Sequence, residues 1–306
     1  MMPTQSARPL LLILAFAAVY LLWGSTYLAI KYAIATMPPF LMAGSRFLLA
    51  GSILTLAGRA STEYEMPTLA QWKTSFVVGA LLLVGGNGMV VLAERYLPSS
   101  LAALLMASEP FWVVLLGWWW LRQPRPSGRV VLGLLLGFGG VYLLVGEQLT
   151  AGAGASHARL LGVGLVLLAA LSWAAGSIYG LRSPVPKSAV LASGTQMLAG
   201  GTLLLLLGTA TGEWRGLEPS RFGSAAWLGW GYLVVFGSLV AFTAYSWLLK
   251  HAPPARVATY AYVNPVVAVL LGWAVLHEKM TVQMLVGAAV IVGSVVLITA
   301  QQKKEG

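Results

Sequence analysis

The chain has 306 residues, of which 58% are hydrophobic and only 9% charged, with a mean hydropathy of +0.80. That leaves too little polar surface to cover a soluble body of this length and places the chain in a bilayer. The formal net charge is +10, but the basic residues are scattered singly through loops rather than clustered with aromatic residues, so nucleic acid is not expected as a partner.

Runs of about 20 apolar residues, enough to cross a hydrocarbon core of about 30 Å as helices, fall at 10–32, 38–59, 74–93, 98–121, 128–146, 160–181, 188–210, 225–249, 254–276 and 281–300. The first is too long for a signal sequence and runs without a small-residue cleavage site into Trp23-Gly24-Ser25, so it reads as a retained helix. Ten spans are predicted, and both termini share one side. With that side cytoplasmic, twelve basic residues fall inside (Arg8, Arg59, Lys73, Arg122, Arg125, Arg129, Arg182, Lys187, Lys250, Arg256, Lys303 and Lys304). Six fall outside (Lys31, Arg95, Arg159, Arg215, Arg221 and Lys279) and Arg46 lies within the membrane. The bias predicts a multi-pass protein with cytoplasmic termini.

The chain repeats itself. PFWVVLLGWWWL around Pro110 matches PVVAVLLGWAVL around Pro265 at seven of twelve positions, at an offset of 155. Earlier, an offset of 150 pairs Trp23 with Trp173, Gly44 with Gly194, Arg46 with Gln196, Leu48 with Leu198, Gly51 with Gly201 and Gly58 with Gly208. Five spans per copy is an odd number, so the second copy must enter the membrane from the opposite face. The predicted architecture is all-α: an inverted pair of five-helix repeats at 10–146 and 160–300, joined by an external linker at 147–159 and followed by a cytoplasmic tail at 301–306. Inverted repeats give two related conformations open to opposite sides, which suits alternating access.

Several chemistries are excluded. No cysteine is present, so disulfides, thiolate metal sites and cysteine nucleophiles are ruled out. There is no G-x-x-x-x-G-K-[ST] stretch to cradle a nucleotide. His157, His251 and His277 have no metal-ligand spacing, and His277-Glu278 lacks the second histidine of a zinc helix. No catalytic constellation and no cofactor are expected, and a small-molecule solute and the lipid bilayer are the predicted partners. Trp72, Trp118, Trp119, Trp120, Trp227 and Trp230 lie near helix ends, where indoles form interfacial belts. Gly133, Gly137, Gly139 and Gly140 give the fifth helix a smooth face, suited to packing within the chain or to a homodimer seam.

Arg46 and Glu109 stand out, because a charge at the bilayer centre costs about 2.5–3.5 kcal/mol even on lenient scales. Counting about 1.5 Å per residue from the external ends puts them at depths of about 10 and 16 Å, close enough to meet. A helix-orienting ion pair, an outward-snorkelling arginine and a substrate-facing pair all fit that placement. Glu109 is the only acid predicted inside the membrane and hence the candidate for proton coupling. The second copy replaces the pair with Gln196 and Asn264, keeping hydrogen bonding without charge, which suits an amphipathic or zwitterionic solute. Pro110 and Pro265 predict kinks in the fourth and ninth helices. Trp23, Ser25, Thr26, Tyr27, Asn87, Trp173, Ser177, Tyr179, Tyr245, Tyr260 and Tyr262 are expected to mark the inward faces of their helices. The candidate substrate-binding set is Arg46, Glu109, Trp23, Tyr27, Asn87, Trp173, Gln196, Tyr260 and Asn264.

The stretches WGSTYLAIKYAI, PPFLMAGSRFLLAG, GGNGMVVLAERYLPSSLAALL and AYVNPVVAVLLGW followed by HEK resemble the EamA family of the drug/metabolite transporter superfamily over the whole chain. The resemblance implies ten helices in two inverted repeats, an inner-membrane location and export of small metabolites or drug-like compounds through a central cavity. It marks Trp23, Gly24, Ser25, Arg46, Asn87, Pro110, Pro265 and Glu278. Where the family often has a Glu after the fourth helix, this chain has Arg122-Gln123-Pro124, so the Glu278 position has no mate. The expected function is that of a secondary exporter. A lipid-headgroup flippase and a channel-like facilitator are the alternatives, and a membrane enzyme is the least supported.

Overall fold

A computed structural model describes residues 9–60, 64–150, 157–215, 217–276 and 282–302. Glu278, His277 and residues 151–156 of the predicted linker lie outside them. The described residues group into ten helices. The first five are α1 (Pro9–Ile34), α2 (Pro39–Arg59), α3 (Leu69–Ala93), α4 (Ser99–Met106 and Glu109–Trp120) and α5 (Gly128–Thr150). The second five are α6 (His157–Arg182), α7 (Ala189–Ala210), α8 (Ser224–His251), α9 (Pro254–Val257 and Tyr260–Leu276) and α10 (Val282–Gln302). Eight of them are long and apolar enough to cross a membrane. In α5 and α10 the described apolar stretches, Gly128–Gly140 and Leu285–Ser294, are shorter.

Local chemistry sets the helix ends. Thr68 and Gln71 form a reciprocal capping box at the start of α3, and Ser188 caps α7. At the start of α2, Pro39 occupies a position that needs no N–H, and the first-turn amides of Phe40 and Leu41 donate to the Glu213 carboxylate at 3.0 Å from the α7–α8 loop.

The most extensive helix pair is α2 with α7, corresponding members of the two repeats. Each carries glycines at seven-residue spacing: Gly44, Gly51 and Gly58 on α2, and Gly194, Gly201 and Gly208 on α7. A Cβ on Gly44 would strike Leu205, one on Gly51 the backbone of Leu198 and Gly194, and one on Gly58 Leu191. Rising numbers on α2 thus meet falling numbers on α7. The pair is antiparallel, which is the inversion of the repeats seen at its axis. A seven-residue repeat keeps one stripe facing the partner along the whole contact.

The second such pair is α5 with α10. Gly137 lies against Tyr262 and Ser294, and Gly140 against Gly287 and Ile291, so both of these glycines serve packing within the chain, while Gly139 faces open space.

Two features were not foreseen. Residues Gly79–Gly88 of α3 and Leu233–Phe242 of α8 are wound as π-helix, ten residues each, at an offset of 154. A π turn is wide and tilts carbonyls outward, and each segment gives one to a side chain: Leu81 O accepts from Ser172 at 2.8 Å and Gly237 O from Trp23 at 3.0 Å. The two proline helices, moreover, break rather than bend. Around Ala107-Ser108 and Ala258-Thr259 the amides of Ala107, Ser108, Ala261 and Tyr262 bond to the carbonyls three residues back, just before Pro110 and Pro265.

The seam yields a stability prediction. Gly51→Val sets branched carbons against the α7 backbone and should cost about 1–3 kcal/mol, as overpacking does. Gly139→Ala meets open space. Thermal unfolding in detergent should show a lowered midpoint for the first and none for the second.

Candidate functional site

Two cavities lie on either side of a central aromatic cluster. The first, of about 60 Å³, is lined from α1 by Trp23, Thr26, Tyr27 and Ile30, from α2 by Arg46 and Phe47, and from α3 by Gly86, Asn87 and Val90. Met106, Trp173, Gly237, Phe242, Tyr260 and Asn264 complete it. The second, of about 540 Å³, is bounded by α3, α6, α7 and α8 and reaches the face that carries Ser183, Val185 and Lys250. At an offset of 150, Thr26, Tyr27, Ile30 and Arg46 of the first correspond to Gly176, Ser177, Gly180 and Gln196 of the second. The cavities are mates under the pseudo-two-fold relation, one narrow and one wide.

Between them, Trp23 and Trp173, themselves a corresponding pair, meet edge to face at 5.3 Å. Tyr245 and Tyr260 stand 5.0 and 4.9 Å from Trp23, and Phe242 lies 6.3 Å from Trp173. Such ring pairs are favourable beyond their buried area. The polar edges are also satisfied. Trp173 donates to the Tyr245 hydroxyl at 3.0 Å, and that hydroxyl donates to Ser177 at 2.5 Å, whose own proton goes to the Trp173 carbonyl. Tyr260 donates to Glu109 Oε2. Gly86 makes room for the cluster, since a Cβ there would lie 2.5 Å from the Trp173 ring.

Arg46 is 3% exposed at the wall of the narrow cavity. One terminal nitrogen donates to Asn87 Oδ1 at 3.0 Å, and the guanidinium stacks over Phe47 at 4.2 Å. Its Nε and other terminal nitrogen have no partner. Arg46 and Glu109 do not pair: among the described residues no ion pair joins them, because Arg46 turns to α3 while Glu109 turns to α9. Depth alone put them together; the direction of each side chain around its helix keeps them apart.

The other expected residues divide. Trp23, Tyr27, Asn87, Trp173, Tyr260 and Asn264 line the narrow cavity with Arg46, Gln196 lines the wide one, and Glu109 touches the site through Tyr260. Ser25 instead bonds Tyr232, Tyr179 lies by Trp120, and Tyr262 packs on Gly137, so these three do not mark the cavity side. Glu94, assigned from sequence to a loop, is fully buried, so Glu109 is not alone among buried acids. Phe47, Phe242, Gly86 and Gly237 were missed; the two glycines lie in the π segments, whose only sequence trace is an apolar run rich in glycine.

An inverted-repeat helical membrane protein, with matched cavities opening off one central cluster, has the build of a transporter. A family model described as the EamA-like transporter family matches residues 10–146 and again 160–300, and the chain belongs to that family. It is 38% identical over 286 residues to the uncharacterized inner membrane transporter YedA of Escherichia coli strain K12, covering 93% of this chain and 89% of that one. A probable amino-acid metabolite efflux pump from the same strain is 26% identical, with 89% of each chain covered. A solved structure superposes with a TM-score of 0.76 at 23% identity over 97% of this chain and 99% of the other, which establishes the fold. The protein is a multi-pass inner membrane transporter.

Tyr260→Phe removes the donor from Glu109 and leaves both its oxygens without a partner. Thermal unfolding should report a loss of about 1–3 kcal/mol, the cost of an orphaned buried polar group.

Proposed function

We propose that this transporter exports small amphipathic solutes bearing a carboxylate or similar anionic group, by alternating access across ten spans with both termini in the cytoplasm. The observation that carries the reading is the Arg46 guanidinium, buried at a cavity with two nitrogens unpartnered. A fork of free N–H groups in a low-dielectric wall is a carboxylate receptor, since charge-assisted hydrogen bonds gain strength there. Trp23, Phe47, Trp173 and Phe242 would cover the apolar part of the solute, and Tyr27, Asn87 and Asn264 its remaining polar groups. The name of the efflux-pump relative supports a metabolite of this kind.

Charge and volume together support the outward direction. The basic bias supports a cytoplasmic Lys250 face, and the wide cavity would then be the one a cytoplasmic solute enters. Closing that cavity and opening its mate would hand the solute from the Gln196 wall past the aromatic cluster to the Arg46 wall. The motor is a solute or ion gradient, since the chain has no nucleotide-binding motif.

Intracellular and exported metabolites, with tolerance to a panel of toxic acids, should be compared in cells expressing wild type, Arg46→Ala and Asn87→Asp. Wild type should shift both profiles relative to an empty membrane and Arg46→Ala should abolish the shift for anionic solutes. Asn87→Asp gives the guanidinium a carboxylate of its own, so it should raise the thermal midpoint and still abolish export. Profiles identical across all of these would remove the export reading.

A further inference from the structure

The two cavities differ in what closes them. On α1, Tyr27 and Ile30 line the narrow cavity and Lys31 is the next residue. On α3, Asn87 and Val90 line it and Glu94 stands one turn further on. A contact between Lys31 and Glu94 therefore sits at the end of that cavity, beyond its last lining residues. Such a contact exists: the Lys31 ammonium donates to the Glu94 backbone carbonyl at 2.9 Å. That carbonyl is available because Glu94 caps the C-terminal end of α3, where the last carbonyls have no partner within the helix.

The repeat shows what the wide cavity has instead. At the offset of 150, Lys31 corresponds to Leu181 on α6. Pro98 and Pro253, which lead into α4 and α9, correspond at 155, and at that offset Glu94 corresponds to Leu249 on α8. Both leucines line the wide cavity. A leucine side chain cannot donate a hydrogen bond, so the wide cavity has no counterpart of the bond at the end of the narrow one. The helices are matched and their closure is not.

The Glu94 side chain works against the bond that its own backbone accepts. Its exposure is 0%, neither carboxyl oxygen has a hydrogen-bond partner, and among the described residues no ion pair joins it to Lys31. Buried polar groups in native proteins are nearly always paired, and one left unpaired is costly. One hydrogen bond holds this contact and one orphaned carboxyl opposes it, so the balance is easily tipped.

We propose that the contact between the Lys31 ammonium and the Glu94 carbonyl is the latch that holds the narrow cavity shut, and that hydration of the Glu94 carboxyl favours its release. Lys31 and Glu94 are then positioning residues: they touch no solute and set how often the Arg46 wall is open to one. Leu181 and Leu249 close the opposite end by apolar contact. The latch deepens the alternating-access reading and rests on it for its use.

The chain has no cysteine, so one introduced thiol reports on the cavity without interference. Val90→Cys places it on the narrow-cavity wall, where the native side chain is 5% exposed. In the purified full-length protein in detergent, an anionic methanethiosulfonate reagent should modify this thiol in proportion to the fraction of molecules open at the Lys31 end. Adding Lys31→Met, which keeps an apolar stem and loses the donor, should raise the rate about fivefold, the factor set by one net hydrogen bond. Lys31→Arg should return it to the starting value. Glu94→Leu copies its mate, keeps the accepting carbonyl and removes the orphaned carboxyl, so it should lower the rate about fivefold or more. Circular dichroism checks that each variant is folded, and Glu94→Leu decides the matter should Lys31→Met fail that check. A rate equal to that of Val90→Cys alone in folded Lys31→Met, or in folded Glu94→Leu, overturns the latch. A thiol that responds as expected with unchanged metabolite profiles removes the export reading alone, and shifted profiles with an unresponsive thiol remove the latch alone.

Discussion

The antiparallel glycine seam between α2 and α7 is the constraint on which the rest depends. With no hydrophobic force to drive helices together in lipid, close backbone approach is what holds them. Six glycines at matched seven-residue spacing permit that approach along the whole pair. Because the two helices are corresponding members of the repeats, their contact fixes the pseudo-two-fold axis itself. The cavities, the tryptophan pair and the π segments then follow as symmetric consequences.

Function enters where that symmetry fails. The Arg46 wall faces a narrow cavity and its Gln196 mate a wide one, so one side offers neutral hydrogen bonding and the other an arginine. Trp23 and Trp173 differ in the same spirit: one donates to a backbone carbonyl loosened by a π turn, the other to a hydroxyl. The barrier between the cavities is thus built from matched rings with unmatched fastenings. A structure that is open on one side and tight on the other needs such a difference.

Much of the fold could be read from the chain. Apolar runs about twenty residues long mark helices whatever their packing, and the offset pairs Gly44/Gly194 and Gly51/Gly201 already name the seam, although the spacing of seven had to be seen in contact to show which helices it joins. The family model covers the same two stretches that the internal repeat suggested. The candidate site was legible in its residue types and less so in its geometry. Spacing along α2 and α4 gives the depth of Arg46 and Glu109 but not the angle at which each leaves its helix, and it is the angle that keeps them apart. Glu94 was lost for a related reason. Hydropathy drops at the Glu-Arg pair after Ala93, which reads as the end of a span, while that end packs on α6 and the carboxyl is fully buried. The π turns were invisible because a wide turn has no propensity of its own: glycine and apolar residues suit an α-helix in lipid equally well.

Those wide turns carry one more consequence. They occur at the same place in both halves, and a π turn arises when one residue is added to an α-helix without shifting what lies beyond it. Two separate additions at matching points would be a coincidence. The wide turn therefore belongs to the repeat unit itself, which meets its own copy antiparallel within one chain.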